Sequence, residues 1–449
     1  MNIKKILFNK ISVLKFFSFY LSLCMTSLSI ASLSIASLSI ASLSIASLTM
    51  WPAWNSYAEP FPGAQVEELL DWAQQHNPEL AASRAEVEAM AQRIDVASAL
   101  PDPTLRAQSM NINNPNSTTN GTIYYTLMQA VPFWGKRDLR RELAEAESVQ
   151  AQGLNFETWA DLASKIKINF AQYYLLHHST KITQEMLALL NNLERIAQTR
   201  YATGLAVQQD VLRAQIELTQ LQREQVMLDT EHHHVITRLN TLLRRPPAAS
   251  LADPQRLRVI PDKTHQVQAK LEQRLRLTNP QLIAAEAKLI AAEKNYELVL
   301  RNRYPDFVFG VMPVQKGGQI TEWGVMAEFN IPLQQGSRRA QERSASAELN
   351  AARSRKEALA TQLIGDLAEQ VLSLKAVQRT ENLVSNSLLP QAEATLQAAL
   401  AGYQTGKVDF ATLLDAQRQL LQAKLDVLNA QVAAQTNLAQ IEKLLGEEL

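Results

Sequence analysis

The feature that most limits what this chain can become is that one unit is written twice, at a spacing of about 202 residues. His76-Asn77-Pro78-Glu79-Leu80 returns as Thr278-Asn279-Pro280-Gln281-Leu282, and Pro101-Asp102 returns as Pro305-Asp306. Val131-Pro132-Phe133 with Gly135-Lys136-Arg137 matches Ile331-Pro332-Leu333 with Gly336-Ser337-Arg338. Tyr201-Ala202-Thr203-Gly204 matches Tyr403-Gln404-Thr405-Gly406, followed at equal spacing by Leu212, Ala214, Gln215 and by Leu414, Ala416, Gln417. Two helices rich in Ala, Leu and Gln can match by chance. Landmarks kept in one order at a nearly constant offset do not. The repeats span 59–243 and 266–449, joined by a linker over 244–265.

Each repeat reads as helix, two short strands, a very long helix, a tight turn and a returning helix. In the first, strands are expected at about 104–112 and 122–132, the long helix at 136–200 and the returning helix at 207–243. In the second they fall at about 306–314, 321–331, 338–402 and 409–445. A helix over 136–200 would be about 98 Å long at 1.5 Å per residue, where the average helix has about 11–12 residues. Gly204 and Gly406 can take the left-handed conformation that ends a helix, and Asp409 can cap the last one.

The returning helices carry coiled-coil spacing. Leu218, Leu221, Leu228, Val235, Leu239 and Leu242 form one seam, with Gln225 and His232 in it; Leu414, Leu421, Leu425, Leu428 and Val432 form the other. Alanines such as Ala345, Ala347, Ala351, Ala352 and Ala358 crowd further faces. A helix with neighbours on both sides, as in a ring, needs small residues on more than one flank. A ring fits better than a compact antiparallel bundle, which the sequence still allows. Pro390 has no counterpart, since Ala188 holds the matching place. A proline inside a helix removes a hydrogen bond and kinks it, so the two hairpins are expected to differ near their turns.

Residues 1–58 read as an export signal: Lys4, Lys5, Lys10 and Lys15, then an apolar run, Ser-Leu-Ser-Ile-Ala repeats over 27–46, and Ser56-Tyr57-Ala58 as the cleavage site. The alternative is a permanent membrane anchor. Cys24, the only cysteine, lies in that segment behind Leu23, where lipidation requires a small residue. The rest of the chain therefore has no disulfide and no thiolate ligand. It also has no stretch of about 18 apolar residues, so β-strands must do any membrane crossing. Thr321 to Ile331 alternates cleanly, with Trp323, Val325, Ala327, Phe329 and Ile331 on one side and Glu322, Glu328 and Asn330 on the other. That is the pattern of an outer-membrane barrel wall. Phe307, Phe309 and Val311 share a face of its partner, and Arg106 and Gln108 give a polar face to a weaker first pair. Hairpins of a soluble protein would alternate too. Four strands leave two edges, and open edges cannot face lipid. Three copies would supply twelve strands; other multiples of four would also close.

With 44 basic and 44 acidic side chains there is no basic excess to suggest nucleic acid. No nucleophile elbow, phosphate loop, cysteine-based metal site or HExxH helix occurs, so no catalytic residue or cofactor is expected. His232-His233-His234 invites a metal reading, but consecutive helical residues point about 100° apart and cannot converge on one ion. His232 in the seam is expected to be a core or interface residue.

Taken together, the doubled organisation, Pro132-Phe133-Trp134-Gly135-Lys136-Arg137, and the stretch from Leu388-Leu389-Pro390-Gln391-Ala392-Glu393 through Gly402-Tyr403-Gln404-Thr405-Gly406-Lys407-Val408-Asp409-Phe410 to Leu413-Leu414-Asp415-Ala416-Gln417 resemble the TolC-family outer-membrane efflux proteins. The likeness covers nearly all of 64–446. It implies a mostly α fold with a small β part: long coiled-coil helices forming a periplasmic α-barrel, and four strands per chain in a homotrimeric twelve-stranded barrel in the outer membrane. It further implies a passive exit duct that meets a periplasmic adaptor protein and an inner-membrane pump of the RND or ABC type. The 131–137 segment resembles members that serve cation-efflux pumps. The resemblance places Arg200, Tyr201, Thr203, Gly204, Leu205, Asp210, Tyr403, Thr405, Gly406, Lys407, Asp409 and Asp415 at or near the periplasmic tip, which opens during transport and contacts the adaptor. Arg200, Lys407 and the three aspartates could pair to hold the tip closed; alternatively Asp210 and Asp409 only cap helices and the rest are solvated. A type I secretion channel and a non-pore coiled-coil envelope protein are the competing functions.

Overall fold

The computed structural model describes residues 62–110, 121–260 and 268–449. The expected export segment, the polar loop over 111–120 and linker residues 261–265 lie outside them. Each repeat begins with a short helix, α1 (Val66–His76) or α5 (Gln268–Thr278), running directly into α2 (Pro78–Ser98) or α6 (Pro280–Arg301). Proline opens both second helices, at a position whose N–H would have no partner anyway. The preceding asparagine closes both junctions. Asn77 Oδ1 accepts from the N–H groups of Glu79 and Leu80, and Asn279 Oδ1 from that of Leu282. Their amides then donate to equivalent carbonyls, Asn77 to Leu242 at 3.1 Å and Asn279 to Leu444 at 2.6 Å. The sequence repeat is thus a structural repeat, tied by the same atoms in each copy.

Strands β1 (Thr104–Met110), β2 (Thr122–Val131), β3 (Phe307–Lys316) and β4 (Gln319–Phe329) form one antiparallel sheet in the order β1-β2-β3-β4. The second hairpin is tighter than expected. Gly317 and Gly318, both at positive φ, make a two-residue turn of the kind that suits strand twist, so the strands reach Lys316 and restart at Gln319. At its other end β4 stops at Phe329, two residues before the expected limit, and Asn330 Oδ1 accepts from the Asp306 N–H instead. Pro132–Arg137 turns out to be a joint. Gly135 sits at φ +81, and the buried Lys136 donates to the Tyr304 carbonyl at 3.0 Å and to Asp306 at 2.8 Å. Arg137 reaches the Ser98 carbonyl at 2.8 Å. This short segment therefore fixes where β2 ends and the first long helix starts.

That helix, α3 (Lys136–Ala202), runs 67 residues without a break, and α4 (Gln208–Leu242) returns along it. The second repeat has α7 (Gln335–Leu383), a π-helical turn (Val384–Leu388), α8 (Leu389–Gln404) and α9 (Phe410–Leu445). Pro390 does not end the second long helix. The missing N–H is absorbed by a wider turn just before it, in which the Leu389 N–H bonds the Val384 carbonyl. Near the sheet, α2, α3, α6 and α7 lie side by side in that order; near the turns the order is α4, α3, α9 and α7–α8. The chain is four helices wide at both levels, continuing four strands. Among the described residues no helix is long and apolar enough to cross a membrane.

The seams hold as expected. Leu218, Leu221, Val235 and Leu239 are buried against α3, and His232 is half-buried beside Tyr173. Because α9 lies between α3 and α7, it buries Leu414, Leu428 and Val432 and also a second row with Ala423, Ala430 and Ala434. Ala345 and Ala352 are buried, whereas Ala347 and Ala358 are exposed in the single chain. Helices α3 and α6 come close at Gly153, where an added Cβ would stand 2.9 Å from the Ala284 nitrogen. Gly153→Val should therefore cost about 1–3 kcal/mol of stability, read by chemical denaturation. An unchanged midpoint would mean that α3 and α6 can simply move apart.

Candidate functional site: the turn end of the helical hairpins

The two turns at the far end of the helices are one construction made twice. In each, a helix ends in a Schellman arrangement. The Leu205 N–H bonds the Arg200 carbonyl at 2.7 Å and Gly204 that of Tyr201 at 3.0 Å; Lys407 bonds Gly402 at 2.8 Å and Gly406 bonds Tyr403 at 3.0 Å. Gly204 and Gly406 stand at φ +70 and +74, where a Cβ is strained. Thr203 and Thr405 fold their hydroxyls back onto the carbonyls of Thr199 and Ala401 at 3.0 Å.

The copies differ in side-chain chemistry, and there the site is built. Arg200 crosses from the first turn to the second: its Nη1 donates to the Gln404 carbonyl at 2.7 Å and its guanidinium lies 4.9 Å from the Tyr403 ring centre. Its Nη2 donates to Leu205 O at 3.3 Å, and its Nε is buried without a partner. Tyr403 is buried, packs 5.2 Å from Phe410, and donates its hydroxyl to Asp210 at 3.3 Å. Burial, reinforced by the Asp210 charge, pushes the Tyr403 phenol up to about 12. The proton therefore stays in place at any physiological pH. Below this pair lies an apolar core that includes Leu193, Ala197, Ala214, Leu396, Phe410 and Leu413.

Asp210 does not cap α4. The cap position is Val207, with no side-chain bond, and Asp210 lies one turn in, turned towards Tyr403. Asp409 does cap α9, accepting from the Thr412 N–H at 2.9 Å; the Thr412 hydroxyl, then that backbone bond, hold its carboxyl below the ordinary value. Asp415 lies 3.5 Å from Arg418, whose main partner is the buried Glu217 of α4. Among the described residues Lys407 forms no ion pair, and Tyr201, Leu205 and Lys407 are exposed. The structure thus brings Arg200, Tyr403 and Asp210 together and leaves Asp409, Asp415 and Lys407 apart from them.

Sequence reading missed Arg418–Glu217 and a larger network at mid-length. Glu442 is buried and accepts from both terminal guanidinium nitrogens of Arg258 at 2.9 Å and from the buried Lys167 at 2.9 Å. The only signal was a charge with apolar residues one helical turn to either side, Glu442 between Leu438 and Leu445 and Lys167 between Ala163 and Phe170, and nothing local names the partner. Of the three adjacent histidines only His232 faces the helix pair; burial, then the nearby His177 and His233, keep its pKa low. Among the described residues no three His, Cys, Asp or Glu side chains are grouped to hold a metal ion.

Comparison with known proteins agrees with this architecture. The model of the family described as outer membrane efflux protein matches residues 69–243 and 271–447, one match per repeat. None of the curated protein sequences matches the chain. In fold it is similar to VceC from Vibrio cholerae, an outer membrane protein, at 19% identity and a TM-score of 0.73, with 85% of this chain and 96% of that one covered. CusC aligns at 18% identity and a TM-score of 0.74, covering 86% and 93%. The MtrE outer membrane channel of Neisseria gonorrhoeae, in its open state, aligns at 17% and 0.70, covering 86% and 90%. With the family model spanning both repeats and the sheet and hairpins following the same plan, the chain belongs to the outer membrane efflux protein family.

Proposed function

We propose that three copies of this chain close into one tube, a twelve-stranded barrel in the outer membrane continued by a twelve-helix tunnel, and that the tube is the passive exit duct of a tripartite pump. The observation that carries this reading is the sheet's two free edges. Strands β1 and β4 each pair on one side only, and lipid offers bare peptide groups no partner. β1 of one copy beside β4 of the next satisfies both. The outer face then bears Leu105, Leu127, Val311, Trp323 and Val325, all exposed in the single chain. Residues 1–58 deliver the chain for export. The tip around Arg200 and Tyr403 faces a periplasmic adaptor, with an inner-membrane pump of the RND or ABC type behind it, and the cargo is metal cations or small toxic compounds. The Arg200–Tyr403–Asp210 contacts hold the tip in a narrow state.

In a planar bilayer the detergent-extracted protein should insert as a trimer and conduct ions. Asp210→Ala should raise the mean conductance, because Tyr403 loses its acceptor and the two turns separate more readily. A monodisperse detergent-free monomer would remove the duct, and equal conductance in Asp210→Ala would remove the tip contact as a restraint.

A further inference from the structure

The sheet sorts its side chains by chemistry as well as by polarity. Strand alternation and register put Leu105, Leu127, Phe309, Val311, Trp323 and Val325 on one face. The opposite face carries Arg106, Thr126, Glu322 and Glu328, and with them Met110, Met128, Met312 and Met326. The sequence has ten methionines in all, and every one in the sheet is on this second face. The sheet residues buried in a single chain, Thr122, Thr126, Met128 and Val314, lie there too, so this face is the concave one. In a closed barrel it is the wall of the lumen. Burial of apolar surface alone would place such side chains on the lipid side, which takes Leu, Val, Phe and Trp but no Met.

The methionines are also placed against glycines. Met128 and Met326 both pair with Gly310, from strands on either side of it. A Cβ at position 310 would stand 3.2 Å from Met128 Cγ and 3.3 Å from Met326 Cε. Each thioether sulfur is therefore one bond from a carbon resting over the same glycine. Met312, next on the same face of β3, lies singly over a glycine of β4, its Cε 3.0 Å from a Cβ built on Gly324. Glu328 follows Met326 on the same face and can add negative charge.

We propose that Met128, Met312 and Met326 form a thioether site on the lumen wall for a soft monovalent cation of the Cu(I) or Ag(I) class. The proposal rests on the channel reading above and narrows its cargo. Neutral thioethers select soft cations over Mg, Ca or Mn. They bind without losing a proton, unlike Cys, His or carboxylate ligands. A few uncharged ligands hold an ion weakly enough to release it, as conduction requires.

The test uses the purified trimer in detergent, with its methionine methyl groups labelled for NMR, and Ag(I) as the probe. Ag(I) should shift the Met128, Met312 and Met326 signals, with an affinity that does not change between about pH 5.5 and 7.5. The combined variant Met128→Leu, Met312→Leu and Met326→Leu conserves volume and should weaken Ag(I) binding by at least about tenfold while leaving potassium conductance unchanged. Ag(I) shifts confined to Met90, Met186 and Met227, or wild-type affinity in the leucine variant, would overturn the site while the channel stands. Failure of the unaltered protein to conduct potassium would instead strike the channel reading, and the site with it.

Discussion

Replacing Glu442 with alanine is expected to lower stability by about 3–5 kcal/mol, because it strands the buried Lys167 and takes away the main partner of the half-buried Arg258. Arg258 comes from the segment joining the repeats and Lys167 from the middle of α3, so one carboxylate ties three parts of the chain. Glu448 also reaches Lys167, at 2.8 Å, but is itself exposed and cannot replace the loss. Burial pushes the Glu442 carboxyl up; hydrogen bonds and charge from Arg258, then Lys167, outweigh it and hold the pKa below its ordinary value. A carboxylate with a lowered folded pKa gives stability that is complete above its unfolded pKa, about 4.3. That stability is lost as pH falls through the folded value. Denaturation midpoints should therefore fall below about pH 4 in the natural chain, and Glu442→Gln should be less stable at pH 7 with a flatter acid limb. Equal midpoints for the two proteins at pH 7 would show that the network contributes nothing net.

The second large effect is expected in the sheet. Val325 lies mid-strand on the apolar face of β4 and is 90% exposed in the single chain, so in the proposed closed barrel it would meet lipid rather than protein. Val325→Arg should cost about 2–4 kcal/mol per chain at the bilayer midplane. Three copies bear that cost at once, so membrane-inserted trimer should be strongly depleted, read as the heat-resistant oligomer in outer-membrane fractions. Glu322→Arg on the opposite, water-facing side should leave trimer yield nearly unchanged. If both variants assembled alike, the two faces of the sheet would not differ in solvent.

The helices, the four strands, the two turns and the doubling were legible in the sequence because each is set by local chemistry repeated at a fixed period. A 3-4 apolar spacing, strict alternation in β4 and a glycine four residues after an arginine or a glycine at each turn are local signals that tertiary context did not override. The alternation even sorted the methionines of the sheet onto one face. Pro390 shows the limit of such reading: the sequence located the disturbance, but the packed helices decided that it would be a π-helical turn. Side-chain partnership across the chain was not legible. Asp210 was equally well suited to cap α4, and it became the acceptor of Tyr403 only because α8 and α4 meet at the tip. Arg200 reaching Gln404, and Glu442 gathering Arg258 and Lys167, join residues far apart in sequence. A charge carries no record of its partner; burial and distance select it, and both exist only once the helices are packed.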